Sequence, residues 1–364
     1  MTNGYAAPVL RWYAAHARDL PWRQPGASAW SVLVSEIMLQ QTPVARVLPA
    51  HAAWLARWPA PPSLAAAAPG DAVRQWGRLG YPRRALWLHA TARILTEEHA
   101  GQVPASVSAL RGLPGVGGYT AAAVASFAFG QRHAVLDTNV RRVLGRLVRG
   151  EHLPPRSASV AETRLAESLL PELPRRAARW SVAIMELGAL VCTATRPDCD
   201  RCPVARQCAW HRAGRPAGPA RPPAQRYAGS DRECRGRLLG VLRDAAGPVP
   251  AADLDAAWPD QAQRARALRA LIADGLAAAR EHDTYALPDD APAPPRPQPA
   301  HRASAALAPA PDGHHGPNLA ATARLHPDPY GPRYGPNART APAALWPRAA
   351  RHPGPVPRTG TAPF

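Results

Sequence analysis

Apolar residues in the first two hundred positions recur at intervals of three and four, as in Leu79, Leu86, Leu88 and Ile94. That spacing lines one face of a helix. Pro and Gly punctuate it, and no run alternates apolar with polar as a half-buried strand would. Residues 5–212 therefore read as a helical domain. Residues 213–229, rich in Pro, Gly and Arg, read as a linker. The pattern resumes over 230–288, where RGRLLGVLRDA and QAQRARALRALIADG predict helices and GLAAAREHDTYALP predicts a two-stranded wing. A small winged-helix-like module is expected there. The pattern is lost over 289–364: from 291 onward there are 18 prolines, and eight arginines against two aspartates. A segment with so little to bury is expected to be a disordered Pro/Ala/Arg-rich tail. The predicted fold class is mainly α.

Composition adds a partner. The formal net charge is +18, and every one of the 44 basic residues is arginine. Such a surplus suits a polyanion, and nucleic acid leads. No apolar run is long enough to span a membrane, and the N-terminus lacks the layout of a signal peptide. A cytoplasmic, nucleoid-associated protein with no membrane partner is expected, and a monomer. Five cysteines in that compartment read as metal ligands with one thiol to spare, not as disulfides.

Four of those cysteines fall in CTATRPDCDRCPVARQC. Cys192, Cys199, Cys202 and Cys208 have six, two and five residues between them. Structural zinc with four cysteines normally uses two CxxC knuckles far apart; here there is one. The compact loop suits a single [4Fe–4S] cluster, each iron taking one thiolate, with zinc the weaker alternative. The cluster would hold a loop that carries Arg196, Arg201 and Arg206 toward phosphates. Cys234 reads as an ordinary thiol.

The stretch LPGVGGYT, residues 113–120, lies between two predicted helices. A tight glycine turn there makes a helix-hairpin-helix, whose outward amides and helix N-terminus can hold a phosphate. Leu113, Gly115, Val116, Gly117 and Gly118 are the candidate DNA-binding positions. Two carboxylates follow as catalytic candidates. Glu36 lies in WSVLVSEIMLQQT, a helix apolar nearly all round, where burial should raise its pKa and let it donate a proton near neutrality. Asp137, in HAVLDTNVRRVLGRL, reads as a helix N-cap, and the amide bonds of a cap favour the ionised form. One acid and one anion is the division of labour of glycosidic cleavage.

LPWR, SEIMLQQT, LGY, LPGVGGYT, VLDTNVRRVL, MELGALVC and the cysteine loop together resemble the endonuclease III superfamily of helix-hairpin-helix DNA glycosylases, and within it the adenine DNA glycosylase (MutY) family, over roughly residues 8–212. The resemblance implies two helical subdomains with the site in the cleft between them. It implies a double-stranded DNA partner containing an adenine mismatch, and base excision repair by hydrolysis of the bond to adenine opposite 8-oxoguanine or guanine, with the nucleotide flipped from the duplex. By the family pattern Glu36 protonates the base, Asp137 stabilises the sugar cation and Asn139 assists. Trp22 and Arg23 line the adenine pocket; Gln41 and Tyr81 enter the stack or meet the lesion. Bifunctional relatives carry a lysine where this chain has Tyr119, so no lysine-dependent lyase activity is expected; Tyr119 either touches the sugar or packs the hairpin. Two departures stand out. Val182 replaces a polar residue four positions before the acid of MELG, and 225–288 is too short and helical for the MutT-like domain of longer members. A thymine-mismatch or oxidised-pyrimidine glycosylase is the alternative enzyme, and a non-catalytic DNA-binding protein the alternative outside catalysis.

Overall fold

The three-and-four periodicity forms helices, several of them opened by side-chain caps. The computed structural model describes residues 4–218 and 226–288, all within one compact unit. The tail expected over 289–364, and 219–225 of the linker, lie outside the described residues. Helix α1 spans Ala6–His16 and a 3-10 turn Pro21–Arg23. Helix α2, Ala29–Leu39, starts at Ser28, whose hydroxyl accepts the Ser31 amide at 3.1 Å and satisfies one orphan donor of the first turn. Every residue from Trp30 to Met38 is buried. Helices α3 (Val44–Arg57), α4 (Pro61–Ala65), α5 (Pro69–Trp76), α6 (Arg83–Glu98) and α7 (Val107–Arg111) complete the first group. At its centre Trp54 meets Trp58 and Trp76 edge to face, with ring centroids 4.7 and 5.7 Å away.

Helix α8, Gly118–Phe129, is the spine between two cores. Its Ala121, Val124 and Ala125 lie in the first and Ala123 in the second, since small side chains let both close in. The second core gathers α1, α9 (Thr138–Leu144), a π-helical turn at Gly145–Arg149, α10 (Val160–Ser168) and α11 (Pro174–Leu190), together with the cysteine loop, and α12 (Ala209–Arg212) packs on the π-helical turn. Ser159 and Glu162 form a reciprocal capping box at the start of α10.

The last segment has the order α13 (Asp231–Asp244), β1 (Val249–Pro250), α14 (Ala251–Ala257), α15 (Gln261–Ala273), β2 (Ala278–Arg280) and β3 (Thr284–Ala286). The strands are antiparallel in the order β1-β3-β2, with Tyr285 opposite both Val249 and Ala279. This is a winged-helix arrangement with three strands, where the sequence pattern predicted two; β1 and α14 carried no periodic signal. The segment does not stand apart from the helices before it. Cys234, Leu238, Leu242, Leu271 and Leu287 join the first core, so the spare thiol is a core side chain. Where the two meet, a Cβ on Gly70 would lie 2.7 Å from the Pro288 carbonyl oxygen. No helix among the described residues is long and apolar enough to cross a membrane.

Candidate active site

Glu36 emerges from the buried face of α2 with 5% exposure. Burial pushes its pKa up to about 7; Arg23 opposes the shift, the charge of Asp137 adds to it, and a hydrogen bond from the Tyr119 hydroxyl opposes it. Near neutrality the carboxyl holds its proton about half of the time, the condition for a general acid. Tyr119 is half-buried beside both carboxylates, and desolvation followed by the charges of Glu36 and Asp137 keeps its phenol well above the usual range. The tyrosine that closes the hairpin is thus a bonded neighbour of the acid, a role its position in LPGVGGYT did not disclose.

Asp137 is the N-cap of α9. It accepts the Val140 amide at 2.6 Å and the Asn139 amide nitrogen at 2.6 Å. Those bonds and the charge of Arg142 favour the anion, but burial outweighs them and the net pKa lies above the ordinary value. This corrects the expectation that capping alone would hold it low: the carboxylate is hydrogen-bonded and also desolvated. Arg142 donates to Asn139 Oδ1 at 2.8 Å, to the Gly188 carbonyl at 2.7 Å and to the Cys192 carbonyl at 2.7 Å. One guanidinium therefore joins α9, α11 and the first cysteine. Helix α11 comes this close because Gly188 has no side chain; a Cβ there would lie 2.7 Å from Cβ of Asn139.

Trp22 is buried and its ring meets His51 edge-on at 5.0 Å. Arg23 donates to Glu186 at 2.7 Å and Arg18 holds the same carboxylate with two side-chain bonds, at 2.6 and 2.9 Å. Burial alone would raise the pKa of Glu186, but the bond from Arg18 and the charge of Arg23 outweigh it and hold it low. Glu186 is the acid of MELG; sequence reasoning used it as a landmark and not as a site residue. Val182, one turn earlier, is buried at 8% exposure.

Gln41 and Tyr81 come together on the outside. The Tyr81 hydroxyl donates to Gln41 Oε1 at 2.7 Å, and Tyr81 is 55% exposed. Both have left-handed backbones, with φ of 56° and 48°, a conformation that side chains enter only when neighbours impose it. In the hairpin, Leu113 and Val116 turn inward, and their amides bond the carbonyls of Leu110 and Leu113. Gly117 and Gly118 are exposed at the start of α8, where helix amides have no intrahelical acceptor. Gly115 has φ +74° over Trp87, whose ring a Cβ would meet at 2.9 Å. Gln40, which the sequence did not flag, ties this hairpin to α2 through the Gly115 carbonyl at 3.1 Å.

The four cysteines of the loop are free thiols, half-buried and within electrostatic reach of one another. Burial first, then the neighbouring sulfurs, push Cys202 up to about 12. Arg146, on the π-helical turn, donates to Cys192 Sγ at 3.3 Å and to the Thr193 carbonyl at 2.7 Å, and lies 4.4 Å over Trp210. Among the described residues no three His, Cys, Asp or Glu side chains converge on a single metal ion. A cubane takes one thiolate on each of four irons.

Residues 34–168 match the family described as HhH-GPD superfamily base excision DNA repair protein. The family match and the fold thus place the chain among the DNA glycosylases of base excision repair. The chain is 50% identical over 280 residues to the adenine DNA glycosylase of Mycolicibacterium smegmatis, spanning 77% of this chain and 94% of that one. Against the human adenine DNA glycosylase it is 42% identical over 216 residues, 57% of this chain and 39% of that one. A thermostable thymine-DNA glycosylase structure aligns with a TM-score of 0.52 and 27% identity over 57% of this chain and 95% of that one. The chain belongs to the adenine DNA glycosylase family.

Proposed function

We propose that the enzyme hydrolyses the N-glycosidic bond of adenine facing 8-oxoguanine or guanine, and leaves the strand uncut. The observation that carries this reading is the pairing of Glu36, poised to give up a proton near pH 7, with Asp137, whose charge acts on both Glu36 and Tyr119. Glu36 protonates the departing base. Asp137, steered by Asn139 and Arg142, stabilises the positive charge that develops on the sugar. Water then attacks, with Glu36, now ionised, accepting its proton. The flipped adenine stacks on Trp22 beside Arg23, while Tyr81 and Gln41 enter the duplex from the side of the opposite base. Strand scission through a Schiff base needs an amine; Tyr119 cannot supply one, and the chain contains no lysine.

Cys192, Cys199, Cys202 and Cys208 would hold one [4Fe–4S] cluster, which supplies shape and no reaction step. One chain carries every residue used, so a monomer suffices. The alternative of thymine release has a solved relative behind it. Single-turnover excision from duplexes with adenine opposite 8-oxoguanine, guanine, cytosine or thymine, and with thymine opposite guanine, decides between them. Release confined to adenine, with breaks only after hot alkali, is expected; breaks without alkali would contradict the hydrolytic reading.

A further inference from the structure

The Gly77–Arg83 loop carries Tyr81 in its left-handed conformation, and two sets of bonds impose that conformation. From inside, Arg84 donates to the carbonyls of Ile37, Met38, Gln40 and Gly80 and to the Thr42 hydroxyl. It thereby fixes the Gln41 turn to the Tyr81 loop. From outside, the winged-helix segment grips both ends of the loop. Arg243 of α13 donates to the Gly77 carbonyl. Asp274, at the end of α15, pairs with Arg83 at 3.2 Å and with Arg235 at 2.5 Å. Arg83 in turn lies 5.6 Å over Trp87, the ring beneath Gly115. The outer contacts thus reach the wedge and the hairpin together.

We propose that residues 230–288 are a brace for the DNA-facing rim, with Asp274 and Arg243 as positioning residues for the Tyr81–Gln41 pair. The inference rests on the reading of that pair as DNA contacts. Charge argues for a brace over a second DNA grip. Arg264 and Arg266 of α15 pair with Asp255 and Asp231, and the wing turn presents Glu281 and Asp283. Stability is not the main effect either, because Arg83 is 52% exposed and such ion pairs add little to folding.

The test uses the full chain and single-turnover excision as a function of enzyme concentration. Asp274→Asn is expected to raise the half-saturating concentration about fivefold. The limiting rate constant should hold within about twofold and the melting temperature within about 2 °C. Asp274→Glu restores the half-saturation. Tyr81→Ala raises half-saturation as well, and adding Asp274→Asn to it changes nothing more, because one element is lost twice. If the two effects multiply, or if Asp274→Asn is silent where Tyr81→Ala is not, the brace is wrong and the DNA reading stands. If Tyr81→Ala is itself silent, the reading beneath both fails. Should Asp274→Asn melt earlier than allowed above, Arg243→Gln carries the same comparison.

Discussion

Glu36 and Asp137 are both carboxyls withdrawn from water, but the walls that hold them are made of different material. The α2 wall is Val, Leu, Ile and Met, and it offers Glu36 a single side-chain hydrogen bond, from Tyr119. The α9 wall gives Asp137 an amide, a side-chain amide and a nearby guanidinium. Desolvation acts on both. At Glu36 the charge of Arg23 and one hydrogen bond oppose it, and the Asp137 charge adds to it; at Asp137 several hydrogen bonds and the charge of Arg142 oppose it. The first wall favours the protonated carboxyl, while the bonds of the second favour the ionised one.

The contrast breaks most decisively at Glu36. Glu36→Gln should cut the excision rate about 10³-fold while duplex affinity, read by anisotropy, is retained. The same variant should be the more stable one in alkali. A folded carboxyl raised to about 7 keeps its contribution at low pH and loses it as pH climbs from the ordinary range through about 7. Above that, the wild type carries a penalty of order 3 kcal/mol that glutamine escapes, so melting temperatures of the pair should coincide better at pH 5 than at pH 8. Next in size, Asp137→Asn should cost about 10²-fold in rate and leave the upper pH limb in place, since that limb belongs to Glu36.

How much of this was legible in the sequence follows the same division. Glu36 declared itself because an acid amid WSVLVSEIML has no water within reach to solvate a charge. The cap at Asp137 was legible from a polar residue before a helix, but not the desolvation that lifts its pKa, because burial of a helix end is a tertiary fact. Tyr119, Gln40 and Glu186 reach their partners across 75 or more positions, and no local spacing encodes such contacts. In the winged-helix segment the longer helices were read, whereas β1, two residues ending in Pro250, lies below any pattern. Its merger with the first core depended on Gly70, an undistinguished glycine in the sequence.

Away from the carboxyls the expected effects shrink. The purified protein should be yellow-brown, with absorbance near ~400 nm from the cluster. Cys202→Ser should remove the colour and lower the melting temperature by roughly 10 °C; a colourless wild type containing zinc would overturn the cluster. For the wild type, the excision rate should fall up to about tenfold per unit above about 7, as Glu36 loses its proton. Smallest of all, Tyr119→Phe removes the bond that favours the ionised carboxyl. The bend of that profile should therefore move upward, by less than about one unit.

Gly188 deserves a last consequence. With its bare main chain against Asn139, with 2.7 Å where a methyl would sit, α9 and α11 are as near as backbones allow. A single added carbon would lever the start of α9 outward and carry the anion away from its protonated counterpart. Gly188→Ala would then mimic a lesion of the reacting groups without altering any atom that meets the nucleotide. The reach of the chemistry is set by clearance between two helices, one residue wide.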